Sequence, residues 1–134
     1  MDTADQTRVR GVGGLTTSEF TNSIIALACW RAAKNELHHV MLAVLMVLKN
    51  RADAGWYEGD LYLNATSCFS ENSSECPDVR DPQFQQLLAK MDAVIDGRVP
   101  DKTGGAIWFC PTTQLPEKIA GSITTTIGGL TFIK

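Results

Sequence analysis

Ionisable side chains crowd one short stretch of the chain: Arg31, Lys34, Glu36, His38 and His39. Histidine and glutamate suit either a metal or acid–base work, and spacing decides between them. Adjacent histidines on a helix point about 100 degrees apart, so His38 and His39 do not make a two-ligand site. The Glu36-to-His39 spacing resembles a ligand pair, but nothing else supplies further ligands, so both histidines are expected at the surface. The four cysteines, Cys29, Cys68, Cys76 and Cys110, include no Cys-x-x-Cys pair, which leaves zinc without support. Cys29 lies in an apolar helical run and reads as a buried core thiol. Cys68 and Cys76 flank a polar loop and are open to two readings, a short disulfide or two reduced thiols. Glu71 and Glu75 in that loop read as solvated carboxylates, with approach to a substrate as the competing role. No glycine-rich phosphate loop follows a strand, and neither cofactor nor metal is expected.

The elements that must position these groups are legible from periodicity. Residues 1–15 form a polar, glycine-containing leader, expected to be flexible. Thr16 to Glu19 reads as a capping box. A helix from about Thr17 to Lys34 follows, with Phe20, Ile24, Leu27 and Ala28 on its buried stripe. Asn35 is a break. A second helix, from about Leu37 to Ala54, is apolar on most sides and therefore central, with Gly55 at its end. Residues 56–80 read as a long functional loop with scattered aromatics, or one carrying short strands. Asp81-Pro82 starts a third helix that Gly97 ends. Ile107 to Cys110 is an apolar run stopped by Pro111. Ile123 to Ile127 and Leu130 to Ile133 are strand candidates around a Gly128-Gly129 turn. The fold class expected is α+β, mainly helical, with a small β region in the C-terminal third.

Bulk properties exclude several functions. The chain has 134 residues, enough for one domain with its own core. A net charge of −3 argues against nucleic acid as the main partner, which needs a basic face. The longest apolar stretch, Val40 to Leu48, is too short to span a membrane. Met1 to Gly14 has no apolar core of a signal peptide. Synthesis in the cytoplasm without a signal peptide is expected; if the protein works outside, something else must release it, such as a holin, lysis or packaging in a particle.

Ordered motifs carry a resemblance. Trp30-Arg31-Ala32-Ala33-Lys34-Asn35-Glu36, then Met41, Ala43-Val44, Val47 and Asn50-Arg51, resembles the opening of the spore-cortex-lytic and phage cell-wall hydrolase family. That opening is typically Trp-Arg-Glu-Ala-Arg-Gly-Glu, followed by an apolar helix ending in Asn-Arg. Cys68-Phe69-Ser70 resembles the family's Gln-Phe-Ser element, and Asp81-Pro82 with Phe84 the start of its later helix. Asp101, Thr103-Gly104-Gly105-Ala106 and Phe109 resemble its Asp-x-Thr-Gly-Gly-Ala segment running into an aromatic. Ile127-Gly128 with Phe132 resembles its closing element. The likeness covers roughly residues 20–134. It implies a lysozyme-like catalytic domain over 16–134, an endolysin-like member, acting on peptidoglycan at the bacterial wall as a monomer. The departures are Asn35 for Gly, Leu37 for a small or turn residue, Cys68 for Gln, and Ile107, Trp108 and Cys110 where many members carry Thr and His.

The largest departure is Ala32, which stands where the family has its catalytic glutamate. Alanine removes the chemistry and keeps helix propensity. A designed inactivating substitution is the simplest account; a natural pseudo-enzyme and a slipped register are the others. Cleaving a glycosidic bond needs a proton delivered to the leaving oxygen, and one carboxylic acid of raised pKa serves. In a lytic transglycosylase the sugar's own 6-hydroxyl attacks, so one carboxylate is enough; a muramidase would use a second. Glu36, at i+4 from Ala32 if the helix continues, is the candidate for that second carboxylate, or else a structural group capping or pairing with Arg31, Lys34 or Arg51. Arg31, Phe69, Ser70, Gly105, Trp108 and Phe109 are the substrate-binding candidates, the aromatics for stacking on sugar faces. Only one of Trp108 and Phe109 is expected to face a cleft, with core packing as the competing role. Trp30 reads as core. The alternatives are an N-acetylmuramoyl-L-alanine amidase, disfavoured by the lack of a zinc set or a Cys/His pair, and a glycan-binding pseudo-enzyme.

Overall fold

The computed structural model describes residues 17–68 and 75–134. The leader, Thr16 of the capping box, Phe69, Ser70 and Glu71 lie outside the described residues, as does the Cys68 side chain on which a Cys68–Cys76 bridge depends.

Among the described residues four α-helices precede a small antiparallel sheet, giving the mixed, mainly helical architecture expected. Helix α1 is Thr17–Ala32 and α2 is His38–Asp53. The first helix stops two residues short of Lys34. Asn35 takes a left-handed φ of 71°, which asparagine tolerates better than most residues, and turns the chain into α2. α2 is the hub. Val40, Met41, Val44, Leu45, Val47 and Leu48 are all buried, so partners must surround it. They do: α1, the two later helices and the first strand all pack on it. Ala54 caps α2, and Gly55 follows with φ 94°.

The segment 56–80 differs from the expected loop. Trp56–Gly59 forms a 3-10 turn and Leu61–Cys68 a helix, α3. Its start is an N-cap: Asp60 Oδ1 accepts from the Leu63 amide at 3.0 Å. Buried Asn64 then donates to the carbonyls of Trp56 at 2.9 Å and Asp60 at 2.8 Å. Asn64, Thr66 and Ser67 make the helix look like loop composition, although Asn64 and Ala65 are its inward face.

Helix α4, Pro82–Ile95, begins as its sequence predicts. Asp81 accepts from the amides of Gln83 at 2.8 Å and Phe84 at 3.5 Å, with Pro82 at the first helical position. Leu87, Met91 and Val94 are buried against α2 and α1. Asn22 of α1 also donates to Asp92 of α4 at 3.1 Å.

The sheet has the order β1 (Trp108–Pro111), β3 (Leu130–Ile133), β2 (Ile123–Ile127), antiparallel throughout. Pro111 does not stop the first strand but ends it from within. β1 is an edge strand, where a residue without an N–H costs no ladder bond. The central strand β3 is buried along its whole length.

Candidate functional site

The end of α1 places the first group of candidate residues. Trp30 is buried in the core, as expected. Ala32, the last helical residue, is half-buried and packs against the core's edge. The flanking cations turn to one partner segment. Arg31 Nε donates to the Glu75 carbonyl at 2.8 Å, its guanidinium reaches Cys76 Sγ at 3.9 Å, and Lys34 pairs with the Glu75 carboxylate. Glu75 is thus ion-paired rather than merely solvated. α3 packs along α1, and Glu75 meets Arg31 of α1 and Lys34 just beyond it. Cys29, one turn before Ala33, is fully buried, and desolvation pushes its thiol far up, which keeps it an unreactive core group.

Glu36 is not on the face that an i+4 spacing would give, because α1 ends at Ala32. It pairs with none of Arg31, Lys34 and Arg51. Its carboxylate meets the β2–β3 turn instead, with the Gly129 amide donating to Oε1 at 3.3 Å. An added Cβ on Gly128 would stand 2.6 Å from Glu36 Oε1 and 2.7 Å from Val40 Cγ2. The Gly-Gly turn is therefore shaped by what lies against it as well as by its own geometry.

A second group gathers at the far end of α2. Asp101 organises the 101–107 loop. Its Oδ1 accepts from the Thr103 amide at 2.8 Å and hydroxyl at 2.6 Å; its Oδ2 accepts from the Gly105 amide and from Asn50 Nδ2, each at 2.9 Å. Partial desolvation works to raise its pKa, but the bonds from Thr103, Asn50 and the two amides outweigh it, and the carboxyl is held below its ordinary value. Asn50 donates in addition to the Ala106 carbonyl at 3.0 Å. Arg51, only 6% exposed, donates through Nε to the Ile107 carbonyl at 2.6 Å. Its guanidinium lies 4.8 Å from the Trp56 ring and 5.1 Å from the Trp108 ring, and these two indoles meet edge-to-face at 5.2 Å.

The two aromatic candidates separate as strand alternation requires. Phe109 turns inward, tilted on Phe132 with centroids 6.2 Å apart. Trp108 is 46% exposed and, with Pro116, Ile119 and Ile133, lines an open depression of about 280 Å3. Gly105 serves the Asp101 loop through its amide and lies beside the Lys134 side chain. Among the described residues no hydrogen bond, ion pair or ring contact joins Arg31 to Gly105 or Trp108. The candidate residues thus form two groups, one around the end of α1 and one around Trp108.

Asp101, Trp56 and Lys34 are the residues whose roles composition did not reveal. Asp101 carried one signal, a carboxylate two residues before Thr-Gly-Gly, which is the pattern of an Asx turn. Trp56 carried none. Among the described residues no cluster of three His, Cys, Asp or Glu side chains could hold a metal, and no helix is long and apolar enough to cross a membrane. Comparison with known proteins gives no match to a family model, to a curated protein or to a solved structure.

Proposed function

We propose that this chain is a lysozyme-like peptidoglycan-degrading domain that cleaves the glycan strand by general acid–base catalysis, and that Ala32 occupies the position of its proton donor. The supporting observation is the setting of residue 32. It is the last residue of α1, half-buried at the edge of the core. A glutamate there would sit at the negative end of the helix dipole and partly out of water, and both effects raise a carboxyl pKa. Of the flanking cations, Lys34 is paired with the Glu75 carboxylate, while Arg31 is turned to the Glu75 carbonyl and opposes the rise only in part. That is the environment a glycosidase acid requires.

With glutamate at 32, the acid protonates the glycosidic oxygen as the bond to C1 breaks. In transglycosylation the muramyl 6-hydroxyl attacks C1 and gives its proton to the same carboxylate. Glu36 is held by the β2–β3 turn, which favours a single-carboxylate transglycosylase over a two-carboxylate muramidase. Phe109 is committed to packing, and the exposed face of Trp108, in the group apart from residue 32, is the aromatic surface left for sugar stacking. A glycan-binding protein without cleavage is the second reading, favoured by Ala32 itself. A monomer acting at the bacterial wall completes the proposal.

Ala32→Glu and the parent chain should be incubated with purified peptidoglycan and the soluble fragments weighed by mass spectrometry. Anhydro-muramyl ends from the Glu form alone are the expected outcome. Reducing ends would indicate a muramidase, and free stem peptides an amidase. Release of nothing by the Glu form, with both forms retained on the wall, would leave only binding. The same substitution should cost about 1 kcal/mol of stability, from a half-buried carboxylate at a helix C-terminus.

A further inference from the structure

α2 and α4 part at their outer edge to leave a groove of about 300 Å3, at the lower end of the size of small-molecule sites. Its floor is apolar: Leu42, Ala43, Met46, Ala93, Val94 and Ile127. Its rim carries His38, His39, Lys90 and Lys102, and no acidic side chain lines it. That is an unusual local balance in a chain of net charge −3. Neither lysine belongs to an ion pair among the described residues. The position of Lys90 is nevertheless set. Gln83 Oε1 accepts from the His38 amide at 2.6 Å and from its Nδ1–H at 3.0 Å, which leaves Nε2 as the acceptor for the Lys90 ammonium at 3.0 Å. The Lys90 ammonium thus meets an imidazole nitrogen rather than a carboxylate. None of Arg31, Ala32, Glu36, Gly105, Trp108 and Phe109 lines the groove.

An apolar trough with two un-neutralised ammonium groups at its rim is complementary to a molecule that is anionic at one end and aliphatic at the other. We propose that this groove binds a single-chain anionic amphiphile. The carboxylate or phosphate head meets Lys90 and Lys102, and the chain lies on Leu42, Met46 and Ile127. Met46 suits such a role, because its flexible thioether adapts to an irregular aliphatic surface.

The full chain, isotopically labelled, should be titrated with octanoate, octyl phosphate, octanol and octyltrimethylammonium, following backbone amide shifts. Octanoate and octyl phosphate should both shift Leu42, Ala93, Val94 and Ile127, and the stronger of the two identifies the preferred head. Lys90→Ser with Lys102→Ser should weaken the binding about tenfold with an unchanged circular dichroism spectrum. Should the double variant fail to fold, Lys102→Ser alone must show a smaller loss in the same direction. Octanol or octyltrimethylammonium shifting the same residues as strongly would overturn the proposal, and so would undiminished octanoate binding by the lysine variants.

Discussion

A carboxylate that accepts four hydrogen bonds behaves differently from one in water. Asp101 is exposed enough to feel solvent, yet Thr103, Asn50 and the Gly105 amide all converge on it. Its folded pKa therefore lies below its unfolded value. A depressed carboxyl stabilises the fold above the unfolded pKa, about 3.9, and that contribution is lost as pH falls through the folded pKa. Asp101→Asn keeps one acceptor oxygen but loses the other and the charge. It should cost about 2 kcal/mol at neutral pH, measured by urea unfolding. The gap between parent and variant should narrow once the pH drops below about 4. A gap of equal size at pH 7 and at low pH would mean that charge contributes nothing here. The Asp-x-Thr-Gly-Gly run was visible in the sequence as a motif. Its partner Asn50 was not, because 51 residues separate them and only the folding of α2 brings them together.

At the scale of elements, what was legible depended on whether a local signal stood alone. α4 has a cap, a proline and a clean apolar stripe, and its sequence predicts its start. α3 has a cap too, Asp60, but its inward positions are Asn64 and Ala65, so no apolar period announces it. The β2–β3 hairpin was legible from its glycines, while the reason for both glycines was not. Gly128 has φ 58° and Val40 against it, so Gly128→Ala is strained by backbone and by packing. Gly129 meets only the flexible end of Glu36, with an added Cβ 2.7 Å from Oε2. Gly129→Ala should therefore cost about 1 kcal/mol in the parent chain and almost nothing in Glu36→Ala, whereas Gly128→Ala should cost more in both. Thermal unfolding of the six combinations measures the coupling. A Gly129→Ala penalty that survives removal of Glu36 would refute the contact as its cause.

Across the whole molecule, α2 is the shared wall of two half-structures. The other helices cover one side, the 101–107 loop covers its C-terminal end, and the β2–β3 turn of the sheet reaches Val40 near its start. One joint between them is Arg51, packed against two indoles and bonded to the Ile107 carbonyl. The Asn-Arg pair was readable only as the end of an apolar helix; that it clamps a loop more than fifty residues away is a property of the folded chain. Removing Arg51 leaves the Ile107 carbonyl without this donor and uncovers the Trp56–Trp108 pair. Arg51→Ala should cost about 3 kcal/mol, and Arg51→Lys should recover less than half of that, since an ammonium lacks the planar fork. Circular dichroism reports chiefly the helices, and tryptophan emission reports the Trp56–Trp108 contact together with buried Trp30. In the parent chain the two transitions should coincide in urea. In Arg51→Ala the emission change should come first, because the sheet has lost its tie to the helical hub. Coincident transitions at an unchanged midpoint would show that the sheet is held to α2 by the apolar contacts of Phe109 and Phe132 alone.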